Sequence, residues 1–113
     1  MTIKRKETRN LVVCMSGTPT SSSEFDVRAA YLSRHVPSIG SHYVVLADGD
    51  VVKGREHDVH GNVASLYNND SVFIEAVGQD CTDLTPAQQA SIRGVISRLQ
   101  ELYPDAEELD ITY

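Results

Sequence analysis

The amino-acid sequence predicts one α/β domain, in which a mixed central sheet of about five strands is flanked by helices. Three observations lead to this prediction. Short apolar runs typical of strands alternate along the chain with two longer patterns of helical spacing. Both helical patterns begin with a recognisable capping sequence. The length, 113 residues, fits a single domain that can bury an adequate core without disulfides.

The predicted strands are apolar runs bounded by turn-forming residues. The second and third strands form a hairpin around Asp48 and Gly49, because glycine accepts the positive φ that a tight hairpin needs. The strands are predicted at 10–16, 42–46, 51–53, 71–77 and 109–113.

The two predicted helices have clear starting signals. Ser23 caps the first helix with Asp26 three residues on, and this helix runs to about His35. Thr85 caps the second helix, and Gln88 completes its capping box. The apolar side chains of the second helix follow at helical spacing at Ile92, Val95, Ile96, Leu99 and Leu102.

Two segments lie outside this regular pattern. The irregular stretch 54–70 is long for a compact domain, and loops of that length are usually functional. The first nine residues are basic, so the chain divides into an N-terminal arm, 1–9, and a single domain, 10–113. The arm is predicted to be either a solvated tail or a basic contact for an acidic partner.

Composition excludes several classes of function. The net charge of −6 argues against general binding to nucleic acid, because it repels the phosphate backbone. No apolar run is long enough to cross a membrane, and the basic N-terminus lacks the apolar stretch of a secretory signal. Two cysteines make no disulfide framework, so a reducing cytoplasmic location is expected.

Four segments in a fixed order carry a family resemblance. The first is Val-Cys-Met-Ser-Gly-Thr at 13–18, and the second is Ser-His-Tyr-Val-Val at 41–45, followed by Asp48-Gly49 and Gly54-Arg55. The third is Asn-Asp-Ser-Val-Phe-Ile-Glu at 69–75, and the fourth is Leu-Thr-Pro-Ala-Gln at 84–88. Together they resemble the N-acetylmuramoyl-L-alanine amidases, which share a fold with peptidoglycan recognition proteins and small phage lysozymes.

The resemblance implies a zinc site and a set of assisting residues. In the family two histidines and a third Cys or Asp hold zinc, a geometry that leaves one position for the reacting water. A Tyr at the head of the hairpin or a Glu on the central strand assists proton transfer. A Lys near the last ligand stabilises the oxyanion.

Transferred residue by residue, the resemblance predicts a lost zinc site. Cys14 takes the position of the first histidine ligand, and Ser41 takes that of the hairpin Tyr. The remaining ligands would follow Tyr113, so the fold is expected to be truncated at its C-terminus. No cofactor is therefore expected, although zinc is the family's metal.

Glu75 matches the family's catalytic Glu, and three interpretations stay open. It is a buried carboxyl hydrogen-bonded to a neighbour, a general base, or a polar contact for a ligand. Cys14 is interpreted as a packing residue, with a metal or nucleophile role as the alternative. The full set of predicted cleft residues is Cys14, Ser41, His42, His60, Tyr67 and Glu75.

The histidines are interpreted from their position in the chain. His42 lies on an apolar strand, which predicts a core histidine with its hydrogen bonds satisfied. His60 lies in the long loop beside Gly61, where the alternatives are a ligand contact and a solvated side chain.

Three functions follow from the resemblance. The first is a catalytically inactive amidase-fold protein of phage or prophage origin, which binds a host or phage protein in the cytoplasm of the host cell, with inhibition of that protein as one expected effect. The second is a zinc-dependent amidase that is a fragment or is completed by another chain. The third is a muropeptide-binding module.

Overall fold

The computed structural model describes Arg5 and residues 7–111. Predictions that concern residues 1–4, 6, 112 and 113 lie outside the described residues. These include most of the basic arm and the last two residues of the final predicted strand.

The described chain forms a five-stranded mixed sheet with a helix on each face. Its elements are β1 (Asn10–Met15), α1 (Glu24–Ser33), β2 (Tyr43–Val45), β3 (Val51–Lys53), β4 (Ser71–Ala76), a short 3₁₀ turn (Cys81–Asp83), α2 (Pro86–Leu102) and β5 (Glu107–Asp110). The strand order is β3-β2-β4-β1-β5, with only β3 antiparallel to its neighbour. The predicted fold class is confirmed.

Local signals placed the helix starts and the hairpin correctly. Ser23 and Asp26 form a reciprocal capping box on α1, and Thr85 and Gln88 form one on α2. Gly49 has a φ of 91°, the left-handed conformation that the predicted hairpin requires.

Several predicted boundaries are shifted by one residue, at the ends of β1, β2 and β4, and two are shifted by two residues. The predicted helix to His35 stops at Ser33, because His35 has a φ of 65° and cannot continue a right-handed helix. The last strand begins at Glu107 rather than Leu109. Its parallel register on β1, which places Glu107 opposite Asn10, overrides the weak strand propensity of the acidic residues.

The sheet separates two apolar layers. The α2 face is packed with side chains from alternate strand positions, namely Leu11, Val13, Met15, Val45, Val72, Ile74 and Ala76. The α1 face holds Val27 and Tyr31 of that helix against Val44 and Val77. A third cluster on this face, around Val12, Cys14 and Phe73, is covered by the long loop.

The described part of the N-terminal segment runs against the domain. The Arg5 backbone N–H donates to the Asp58 carbonyl at 2.6 Å, and the Glu107 N–H donates to the Arg9 carbonyl at 2.9 Å. The division into an arm and a domain stays a prediction. Among the described residues, no helix combines the length and apolar character needed to cross a membrane.

Candidate functional site

A buried carboxyl group lies at the centre of the α1 face of the sheet. Glu75 occupies β4, between β2 and β1, and is 2% exposed. Its Oε1 accepts a hydrogen bond from the Tyr31 hydroxyl at 2.9 Å and another from the Ser41 hydroxyl at 3.0 Å. These hydroxyls come from α1 and from the residue two positions before β2, so three elements meet at one oxygen atom.

Burial dominates the electrostatics of this carboxyl. Removal from water raises the pKa of Glu75 above its usual range, while the hydrogen bonds from Tyr31 and Ser41 and the charge of Arg34 act in the opposite direction. Burial also raises the pKa of Tyr31, and the nearby Glu75 charge adds to that effect. Tyr31 is therefore a hydrogen-bond donor at every ordinary pH.

Cys14 lies directly beside Glu75 in the sheet. The two residues are register partners on β1 and β4. Cys14 is 1% exposed, and its thiol lies 3.8 Å from the carbonyl oxygen of Ile74. Burial, followed by the charge of Glu75, raises the pKa of Cys14 well above its usual value, so this sulfur is a protonated thiol.

An open cavity of about 370 Å³ adjoins the carboxyl group. It lies between the end of β1, α1 and the long loop. Its polar and charged lining consists of Ser16, Thr18, Tyr31, Ser33, Arg34 and Glu75. Met15, Ala30 and Val63 supply apolar wall.

His42 is a fully buried structural histidine. Its Nδ1 accepts the backbone N–H of Phe73 at 3.0 Å, so its Nε2 carries the proton and donates to the Val59 carbonyl at 2.8 Å. Burial lowers the pKa of His42 to about 4. With both nitrogen atoms engaged by backbone groups, the ring fixes the long loop against β4.

The other predicted cleft residues separate into two groups. The structure brings Cys14, Ser41 and Glu75 together. His60 and Tyr67 are half-buried in the long loop and do not line the cavity beside Glu75. Tyr67 instead packs over the cluster that contains Cys14, while the described hydrogen bond of His60 is made by its carbonyl, which accepts from Arg55 at 3.1 Å.

Sequence reasoning missed two partners of the site. Tyr31 was not among the predicted cleft residues, and its pairing with Glu75 spans 44 positions. Arg34 follows three residues later, one helical turn on, and its guanidinium lies 4.6 Å from the centre of the Tyr31 ring. The helical spacing of these two residues was the available signal, but nothing local pointed to Glu75.

A second polar cluster on the other side of the domain was also missed. The imidazole of His57 contacts the Tyr43 hydroxyl through Nε2 and the Tyr103 hydroxyl, at 3.2 Å, through Nδ1. This cluster ties the long loop to β2 and to the end of α2.

The side chains of residues 5 and 7–111 do not by themselves form a zinc site. The described residues contain no group of three His, Cys, Asp or Glu side chains that could hold an ion. A catalytic zinc takes three such protein ligands, with sulfur bound as a thiolate. Cys14 is a buried thiol, and Glu75 is its only acidic register neighbour.

Comparison with known proteins identifies similar sequences. The family model described as N-acetylmuramoyl-L-alanine amidase matches residues 4–112. The endolysin of Enterobacteria phage K11 is 30% identical over 111 residues, an alignment that covers 91% of this chain and 74% of that protein. The endolysin of Escherichia phage T7 is 27% identical with the same coverage.

Solved structures share the fold. The Ph2119 endolysin from the Thermus scotoductus MAT2119 bacteriophage superposes with a TM-score of 0.83 at 23% identity, covering 96% of this chain and 75% of that one. Drosophila PGRP-LB superposes with a TM-score of 0.77 at 21% identity, covering 97% and 73% respectively.

Proposed function

This chain belongs to the N-acetylmuramoyl-L-alanine amidase family, and we propose that it acts as a non-hydrolytic binding protein with a protein partner. One observation carries the proposal. Cys14, at the family's first-ligand position, is sealed inside the apolar core as a protonated thiol.

The environment of Cys14 opposes metal binding. A zinc-bound sulfur must lose its proton, and both the low polarity around Cys14 and the charge of Glu75 make that loss costly. The cluster that contains Cys14 is also packed against Val63, Ala64 and Tyr67 of the long loop. These side chains would have to move before an ion could reach it.

Glu75 has a structural role that competes with proton transfer. A general base must accept a proton from the reacting water, and hydroxyl groups that donate to its carboxylate make it a weaker proton acceptor. Here the donors are two buried hydroxyls that connect α1 and the segment before β2 to the sheet. This carboxyl therefore holds the fold together at the place where the family performs chemistry.

The apolar residues on the outer face of α1 favour the proposal of a protein partner. The inner face of this helix buries Val27 and Tyr31, so the helix is already anchored. Phe25 and Leu32 nevertheless stand 76% and 64% exposed on the outer side, with exposed Ala29 between them. A helix that is apolar on both sides favours burial of the second side against another protein, and these spacings match helix-in-groove recognition.

Substitution of the exposed α1 residues tests this proposal. The double variant Phe25→Ser/Leu32→Ser should lose capture of a specific protein from host lysate, while binding of purified cell-wall sacculi stays unchanged. Leu102→Ser is the matched control, because Leu102 is similarly exposed, at 63%, but lies on α2. Equal capture by the wild type and the double variant would contradict the proposed surface.

The phage endolysins among the similar sequences support a phage or prophage origin. An origin of this kind would place the chain in the cytoplasm of the host cell, where a phage or host protein is its target. Inhibition of that target is the simplest effect of a small binding domain without its own chemistry.

A zinc amidase is the second candidate, and the 30% identity to the K11 endolysin favours it. On this alternative, ligands from outside the described residues would complete the site. Release of new amino termini from sacculi by the purified chain would support the amidase and contradict the non-hydrolytic proposal.

A muropeptide-binding module is the third candidate, and the cavity beside Glu75 favours it. Its polar lining and apolar wall suit a small polar ligand. Retention of the chain on sacculi, unaffected by the α1 substitutions and without cleavage, would support this alternative.

A further inference from the structure

The two oxygen atoms of the Glu75 carboxyl have different surroundings. Both hydroxyl donors, Tyr31 and Ser41, are bound to Oε1. Among the described residues, every buried side-chain nitrogen or oxygen has a hydrogen-bond partner. Oε2 of Glu75 has no hydrogen-bond partner among these residues, so it is not one of the buried atoms. It is therefore the oxygen atom that Glu75 presents to the cavity.

The carboxyl also lacks a direct cationic partner. No described ion pair includes Glu75. Arg34 acts on it only from a distance, because its guanidinium lies over the Tyr31 ring and its Nε donates to the Ala30 carbonyl at 3.3 Å. A buried carboxylate is costly unless a positive charge and hydrogen-bond donors compensate it.

We propose that the cavity beside Glu75 binds a primary ammonium group, which donates an N–H to Oε2. An ammonium is compact and brings both the missing charge and up to three donors. The alkyl stem of the amine would lie against Met15 and Val63, the apolar part of the wall. The ligand is either a free amine or the lysine side chain of a protein. This inference is independent of the proposed function, since the site would take an amine whether or not the chain hydrolyses amides.

Small probes test the site directly on the full chain. We would titrate ¹⁵N-labelled protein with propylammonium, with the neutral isostere propan-1-ol and with propionate, and follow the amide resonances of Gly17, Ala30 and Val63, which line the cavity. Propylammonium should give saturable shifts confined to the cavity, and the other two probes should bind at least about tenfold more weakly. A blocked tripeptide with a central lysine distinguishes the two sources, because a closed free-amine site would reject it.

Two variants should move the affinity in opposite directions. Glu75→Gln should weaken propylammonium binding at least about tenfold, because the charge-assisted hydrogen bond is lost. Arg34→Gln should tighten it about two- to threefold, because an exposed cation at the rim of the cavity is removed. Glu56→Gln, which removes an exposed charge outside the cavity, is the matched control and should change nothing.

The proposal is overturned by any of three results. These are the absence of saturable shifts with propylammonium, tighter binding of propionate than of propylammonium, and an unchanged affinity in folded Glu75→Gln. If that variant does not fold, the sign of the Arg34→Gln effect decides, since weaker amine binding after removal of this rim cation would contradict a site that selects positively charged ligands.

Discussion

Removal of the Tyr31 hydroxyl should destabilise the protein in a pH-dependent way. In Tyr31→Phe the ring keeps its buried packing, but Oε1 of Glu75 loses the donor at 2.9 Å. A hydrogen bond to an ionised group contributes about 2 kcal/mol, and one to a neutral group contributes about 1 kcal/mol. The loss should therefore be about 2 kcal/mol at pH 8 and about 1 kcal/mol at pH 4, where the carboxyl is less ionised.

The sign of the pH effect follows from the direction of the Glu75 pKa. Because burial raises that pKa in the folded state, Glu75 favours folding most below its unfolded pKa, and this contribution is lost as the pH rises through the folded pKa. The Tyr31 hydrogen bond lowers the folded pKa and so reduces the loss. Without it, stability should fall more steeply towards high pH.

Thermal unfolding followed by circular dichroism measures this effect. For a chain of this length, about 1 kcal/mol corresponds to about 4 °C, so the midpoint should fall by about 8 °C at pH 8 and about 4 °C at pH 4. Tyr67→Phe is the matched control, because the Tyr67 hydroxyl makes no hydrogen bond within the described chain, and its stability should change by less than about 0.5 kcal/mol. Equal losses in both variants, or no loss in Tyr31→Phe, would refute the assignment of the Glu75 pair.

Three further predictions concern the surroundings of the site. The ring of His42 should titrate near pH 4 by NMR, and titration near pH 6.5 would contradict its burial. Because the folded pKa is depressed, His42 should contribute about 3 kcal/mol to the free energy of unfolding above pH 6.5, and this contribution should be lost as the pH falls towards 4. Because Cys14 is buried and protonated, it should react with a thiol reagent at pH 8 at least about a hundredfold more slowly than exposed Cys81, as measured by mass spectrometry. Equal rates would show that the core around Cys14 is open. Gly61→Ala should cost about 1–3 kcal/mol in urea unfolding, because the new Cβ would lie 2.5 Å from the Phe73 ring. Gly94→Ala should instead stabilise α2 by about 0.5–1 kcal/mol, because its new Cβ would meet no atom within 4 Å apart from its chain neighbours and the backbone of its own helix, and similar effects of the two substitutions would contradict the packing of the loop on β4.

The sequence predicted those parts of the fold that local signals determine. The capping pairs Ser23–Asp26 and Thr85–Gln88 and the turn at Gly49 each depend on residues within a few positions of one another. The start of β5 was missed because its strand conformation depends on pairing with β1, almost a hundred residues earlier in the chain.

The candidate site was predicted only in part for the same reason. The family resemblance pointed to Cys14, Ser41 and Glu75, and these residues do lie together in the structure. The contact of Tyr31 with Glu75 depends on how α1 packs across the sheet, and no spacing in the sequence encodes it. His42 lies fully buried, with both ring nitrogen atoms on backbone groups, and Tyr67 lies half-buried in the long loop, where it packs on the cluster around Cys14.

The proposed non-hydrolytic function depends on the protonated, buried state of the Cys14 thiol, and zinc stoichiometry tests this state most directly. Elemental analysis of the purified chain after dialysis against zinc should find far less than one equivalent, with no difference between the wild type and Cys14→Ser. One equivalent of zinc that disappears in Cys14→Ser would show that this sulfur is a metal ligand, and would contradict the proposed non-hydrolytic function.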